Sequence, residues 1–148
     1  MDDLEQVDVL LVEDSDTDAE MTMRALRKCS LALKIARARD GIEALDYIFC
    51  SGAYRQRRNG HPKLTLLDIK MPGLSGIDVL RRVKSDENTK SIPVVMFTSS
   101  AEERDLVECY QLGANSYLTK PVEAAAFAEA LSQACWYWTT LNRRPNEL

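Results

Sequence analysis

The chain has 148 residues, 45% hydrophobic and 28% charged, with a formal net charge of −4. That is enough for one domain with a real core and too little for two ordinary ones. An acidic balance without a basic stripe argues against wrapping nucleic acid, and no apolar run approaches the roughly 20 residues that span a bilayer.

The opening residues, Met1-Asp2-Asp3-Leu4-Glu5, are acidic where a signal peptide would carry positive charge. Val7 to Val12 is a β-branched and aliphatic run that predicts a strand, and it ends in Glu13-Asp14. Ser15 and Asp18 then bracket a helix start, with Ala19, Met23 and Leu26 on its inner face. Leu31 to Ala36 reads as a weaker strand, its apolarity broken by Lys34 and followed by Arg37, as expected near a sheet edge. Asp40-Gly41 turns the chain into a helix with the stripe Ala44, Leu45, Ile48 and Phe49. Ser51 to Lys63, with Arg55, Arg57, Arg58, Gly60, His61 and Pro62, reads as a basic, solvated connection.

Leu64 to Leu67 is a short apolar run that delivers one carboxylate, Asp68, to a turn punctuated by Pro72, Gly73 and Gly76. Ser75 and Asp78 start a helix that buries Val79, Leu80 and Val83. Ile92 to Phe97 is a fourth strand, entered through Pro93 and ending in Thr98-Ser99-Ser100. Ser100 with Glu103 predicts a capping box for the next helix, which Gly113 closes. Asn115 to Leu118 is a short fifth strand ending in Thr119-Lys120-Pro121, and the last helix carries Phe127, Leu131, Ala134, Trp138 and Leu141. The cysteines at 29, 50, 109 and 135 form no C-x-x-C pair and read as small buried hydrophobes of a reducing, cytoplasmic compartment. The pattern is α/β: a doubly wound, five-stranded parallel sheet flanked by five helices, spanning 1–148 with a core of about 7–141 and a polar tail over 142–148.

Open parallel sheets put their chemistry at the carboxyl ends of the strands. Here those ends present Glu13, Asp14, Asp68, Thr98 and Lys120. Three converging carboxylates repel one another unless a cation sits among them or one keeps its proton. An all-oxygen set without His or Cys suits a hard ion such as Mg²⁺ and speaks against zinc. A lysine and a hydroxyl beside it leave places for phosphoryl oxygens, so the suggested chemistry is phosphoryl transfer to a carboxylate.

In these residues, and in Leu67-Asp68-Ile69-Lys70-Met71-Pro72-Gly73, the chain resembles the receiver domains of two-component response regulators, which have a flavodoxin-like fold. The resemblance implies that Asp68 is the phosphoacceptor and a sensor histidine kinase the donor. It implies Asp14 as direct Mg²⁺ ligand beside Asp68, Glu13 acting through water, and the main-chain carbonyl of Lys70 completing the set. Thr98 would hold a phosphoryl oxygen, Lys120 would pair with the phosphate, and Tyr117 stands at the family's aromatic switch position. The Lys120–Pro121 peptide bond is commonly cis in this family. The long connection over 51–63 and the run Trp136-Tyr137-Trp138 are similar to single-domain regulators paired with bacterial phytochrome kinases. Glu13 departs from the family's usual Asp at that position.

A Mg-dependent aspartyl phosphatase is a competing reading. It would need a second Asp two residues after the nucleophile, where Lys70 stands, and a cap over its substrate. A receiver-like module that binds partners without being phosphorylated is another, opposed by the complete residue set. The resemblance makes the chain a phosphoacceptor with self-catalysed transfer and dephosphorylation, not an enzyme acting on a separate substrate. Output is expected through protein contacts or onward phosphotransfer. Three consecutive aromatics point about 100° apart on a helix and cannot share one core, so Trp136 or Tyr137 is expected on the surface as a homodimer contact.

Overall fold

Period-two alternation decides which sheet face each strand residue serves. The computed structural model describes residues 5–30, 32–99, 101–120 and 123–143. Its five strands are β1 (Val9–Val12), β2 (Ile35–Ala38), β3 (Leu64–Leu67), β4 (Val94–Thr98) and β5 (Ser116–Thr119). They pair in parallel in the order β2-β1-β3-β4-β5. The α-helices alternating with them are α1 (Asp16–Cys29), α2 (Gly41–Phe49), α3 (Gly76–Lys84), α4 (Glu103–Leu112) and α5 (Ala124–Trp136). Leu10, Val12, Leu67, Val94 and Met96 serve one face, packed with Ala44, Ile48, Val79, Leu80, Val83 and Cys109 of α2, α3 and α4. Val9, Leu11, Leu64, Leu66, Val95 and Phe97 serve the other, with Ala19 and Leu26 of α1 and Phe127, Leu131 and Cys135 of α5. This is the expected doubly wound, flavodoxin-like sheet. Burial on both faces is why its central strands read as continuous apolar runs.

Side-chain caps set most helix starts. Ser15 accepts from the Asp18 N–H, Asp40 from the Glu43 N–H, and Ser75 shares a reciprocal capping box with Asp78. Gly113 closes α4 at φ 107°, as its position predicts. The start of α4 differs from expectation. Its N-cap is Glu102, without a side-chain cap bond, so Glu103 is the first helical residue and not the third of a box built on Ser100. Ser100 itself, the Lys120–Pro121 bond and residues 144–148 lie outside the described residues.

The second strand runs over Ile35–Ala38 and passes the expected end at Ala36, because its register against β1 takes Arg37 and Ala38 into the ladder; Leu31, its expected start, lies outside the described residues. It lies at the sheet edge, where a charged side chain is tolerated. In α5 the inward stripe is Phe127, Leu131 and Cys135 in place of Ala134, and Leu141 is exposed. A π-helical turn over Tyr137–Leu141 adds a residue to that last turn and rotates Leu141 outward. Trp138 stays partly buried against the core.

Cys109 and Cys135 are buried and Cys29 is half-buried, but Cys50 is exposed and takes φ 53° as the left-handed cap of α2. The basic connection is more than a solvated loop. Arg57 stacks over the Tyr47 ring at 4.1 Å and donates from Nε to the Tyr47 carbonyl at 2.9 Å, satisfying the end of α2. His61 is half-buried, and its Nε2 donates to the Asn88 carbonyl at 2.8 Å. No helix among the described residues is long and apolar enough to cross a membrane.

Candidate functional site

The strand order reverses between β1 and β3, since β2 follows on one side of β1 and β3 lies on the other. A crevice opens at such a point, outside the carboxyl ends of the two strands. Glu13 and Asp14 follow β1 directly and Asp68 follows β3, so both loops discharge their carboxylates into it. Oxygens from all three lie within 4.8 Å of one another.

Lys120 follows β5, two strands away from β3, a distance of roughly 9–10 Å. A long side chain is needed to cross it. Its Nζ donates to Glu13 Oε1 at 2.7 Å and to Asp68 Oδ2 at 3.3 Å, and lies 3.9 Å from Asp18. The backbone holds it there, because the Lys120 N–H donates to the Thr98 carbonyl at 2.7 Å. Thr98 is wholly buried at the end of β4, and Tyr117 on β5 is partly buried against the core.

The two acidic neighbours have different surroundings. Glu13 is 3% exposed. Besides Lys120 it accepts the Ser15 N–H on Oε2 at 3.2 Å. Asp14 is exposed and makes no hydrogen bond or ion pair among the described residues. Asp68 is 9% exposed, and its Oδ1 accepts the Ile69 N–H at 2.8 Å. Lys70 is exposed, and its ammonium lies 4.0 Å from the Glu102 carboxylate.

Burial pushes the Glu13 carboxyl above its ordinary range, with the Lys120 hydrogen bond and charge offsetting only part of the cost. Burial alone would pull the Lys120 ammonium down, but the Glu13 hydrogen bond and the Asp68 charge outweigh it and hold it above its usual range. Three carboxylates against one ammonium leave two negative charges, with Asp14 facing solvent. Donors of this kind, all oxygen and without His or Cys, fit a hard divalent cation.

A family model described as the response regulator receiver domain matches residues 9–132. The chain belongs to that family. This receiver is 36% identical over 112 residues to the response regulator Rcp1 of Synechocystis sp. (strain ATCC 27184 / PCC 6803 / Kazusa), covering 76% of this chain and 75% of Rcp1. The solved Mn(2+)-bound form of Rcp1 superposes with a TM-score of 0.84 at 31% identity, covering 93% of this chain and 97% of that one. The phosphorylated cyanobacterial phytochrome response regulator RcpA gives a TM-score of 0.87 at 30% identity, covering 95% and 99%. The bacteriophytochrome response regulator AtBRR is 47% identical, with a TM-score of 0.75 over 94% and 99% of the two chains. The family is one of signalling receivers in two-component systems, and its acidic pocket binds Mg²⁺ or Mn²⁺.

Two residues that shape the receiver site were not assigned to it from sequence. Arg37 grips the acidic turn from β2, and Gly76 packs directly on the backbone of Asp68. The signals were present, an arginine among alanines at a strand end and a glycine opening a helix, but each has a commoner local explanation.

Proposed function

We propose that Asp68 accepts a phosphoryl group from the phosphohistidine of a sensor histidine kinase and that this acceptance switches the surface around β5. The observation that carries the reading is the Lys120 ammonium set 3.3 Å from Asp68 Oδ2 within a cluster of three carboxylates. An Asp68 carboxylate oxygen attacks phosphorus as the bond to the histidine nitrogen breaks, and the electron pair leaves on the imidazole. Lys120 then pairs with the phosphoryl oxygens and Thr98 holds another. Tyr117 follows into the space that Thr98 vacates, a local charge event biasing a two-state packing element. Transfer and later hydrolysis are self-catalysed.

In this reading Asp14 and Asp68 hold Mg²⁺ directly, Glu13 acts through water, and the Lys70 main-chain carbonyl completes the set. Bound there, the ion supplies charge neutralisation for the approaching phosphoryl oxygens. The exposed Asp14 carboxylate, with no hydrogen bond or ion pair among the described residues, supports the assignment of a direct ligand. At ten times its Kd, Mg²⁺ is expected to stabilise the protein by about 1.4 kcal/mol, a Tm rise of about 3–5 °C. Asp14→Ala is expected to abolish that rise and to leave the cation-free form at least as stable, because it removes like-charge repulsion. Equal responses of wild type and variant to Mg²⁺ would place the ion elsewhere.

The partner kinase is proposed to be a bacteriophytochrome, on the strength of relatives described as phytochrome response regulators. One continuous sheet supports reading 1–148 as a single receiver domain, and four free cysteines suit a cytoplasmic setting. A homodimer is proposed on the C-terminal face, where Trp136 is 52% and Tyr137 43% exposed. Sedimentation at tens of micromolar is expected to show a dimer that the double substitution Trp136→Ala, Tyr137→Ala dissociates. A wild type that stays monomeric with and without beryllofluoride contradicts it.

A further inference from the structure

Arg37 sits in the edge strand β2 directly opposite Leu11 of β1, which sends its side chain out on the α1 face of the sheet. The side chain is only 13% exposed and spends its donors on one turn. Nε and Nη2 both donate to the Glu13 carbonyl, at 3.1 and 2.8 Å, and Nη1 donates to Asp16 Oδ1 at 2.7 Å. Arg39 adds a second contact to Asp16 Oδ1 at 2.8 Å but does not reach Glu13. Two guanidinium groups on one carboxylate hold the Asp16 carboxyl below its usual range.

The gripped carbonyl belongs to the peptide bond that joins Glu13 to Asp14. Rotation of that peptide would swing Asp14, whose own side chain has no hydrogen bond or ion pair among the described residues. The Glu13 end is fixed from within by Lys120 and by the Ser15 N–H, and its own N–H donates to the Ala38 carbonyl at 3.1 Å. The Glu13 side of that peptide is therefore pinned, while no described residue holds the Asp14 side chain. A fork of two parallel N–H groups on one oxygen fixes direction as well as distance, which a single ammonium does not.

We propose that Arg37 is a positioning residue for the divalent cation, aiming Asp14 by clamping the Glu13–Asp14 peptide; the inference rests on the cation site proposed above. Its positive charge works in the opposite sense, since a cation near the turn repels another. The two effects separate by substitution. Arg37→Lys keeps the charge and loses the fork, while Arg37→Gln loses both.

Mg²⁺ affinity is measured by calorimetry on the full chain, with circular dichroism and Tm recorded for each variant. If clamping dominates, both Arg37→Lys and Arg37→Gln bind about tenfold more weakly than wild type, the scale on which residues behind metal ligands act. Arg39→Gln, which removes a guanidinium that contacts Asp16 and not the Glu13 carbonyl, stays within about twofold. Wild-type affinity in Arg37→Lys, tighter binding in Arg37→Gln, or an equal loss in Arg39→Gln overturns the proposal. A lowered Tm with unchanged affinity also overturns it, because it assigns Arg37 a structural role alone. If Arg37→Gln does not fold, Arg37→Lys decides by itself. Failure of wild type to bind Mg²⁺, or of Asp14→Ala to lose it, defeats the reading of the site itself.

Discussion

Lys120→Met is expected to destabilise the cation-free protein by about 3 kcal/mol near neutral pH, the scale for removing one partner of a buried ion pair. Glu13 and Asp68 would then face each other, 3% and 9% exposed, without the ammonium that lies between them. The deficit should depend on pH. The folded-state pKa of Glu13 is already raised by burial, so its contribution to stability is fully present below its unfolded pKa and is lost as pH rises through the folded one. Without Lys120 that folded pKa climbs further, and the loss widens as pH rises above the ordinary carboxylate range. Acidification should therefore rescue the variant more than wild type. Mg²⁺ should also stabilise the variant more, since no ammonium competes for the carboxylates. Phosphoryl acceptance should nonetheless fall about a hundredfold or more, because preorganised positive charge is lost where negative charge develops. Urea midpoints at two pH values test this, and a deficit that ignores pH would show that repulsion between Glu13 and Asp68 is not its cause.

Gly76→Ala is the second large effect, and it acts through space alone. A Cβ on Gly76 would stand 1.9 Å from the Asp68 carbonyl oxygen, 2.8 Å from its carbon and 2.9 Å from the Ile69 Cα. These are backbone atoms and cannot rotate aside. The Gly76 N–H also donates to the Ile69 carbonyl at 2.8 Å, so the start of α3 is locked onto the residue that follows the acceptor. A single methyl must push α3 outward or displace Asp68. The expected cost is about 3 kcal/mol, a Tm drop of roughly 6–12 °C, with phosphoryl acceptance reduced in the fraction that folds. Gly73 in the same turn provides the contrast. Its φ is 75° and, its chain neighbours apart, no atom of the described residues lies within 4 Å of its would-be Cβ, so Gly73→Ala carries only the left-handed backbone penalty of about 1–2 kcal/mol. Equal losses in the two variants would mean that contact with Asp68 is not what Gly76 protects.

Legibility followed the physics of range. Strand runs, caps and turn residues are local, so Ser15, Asp40, Ser75 and Gly113 could be placed from their neighbours, and the acidic strand ends could be seen to converge. The family resemblance then added roles for Thr98, Lys120 and Tyr117 that spacing alone does not supply. What could not be read were contacts across the fold. Nothing local distinguishes the buried Glu13 from the exposed Asp14 beside it, since the difference comes from Lys120, 107 residues away. Arg37 looked like a blemish in an edge strand because its partners lie 24 and 21 residues earlier. Gly76 looked like turn punctuation because its reason is the Asp68 carbonyl. The outward turn of Leu141 had a different origin: helical periodicity assumes a constant turn, and the π-helical turn over Tyr137–Leu141 breaks it.

Acceptance of a phosphoryl group on Asp68 is the central claim, and intact-mass measurement with acetyl phosphate and Mg²⁺ tests it most directly. Wild type should gain the mass of one phosphoryl group, lose it to hydroxylamine, and fail to gain it when Mg²⁺ is chelated. Asp68→Asn should gain nothing while keeping the wild-type fold by circular dichroism. Labelling of Asp68→Asn to the wild-type extent, or a folded wild type that takes no label, would contradict the account.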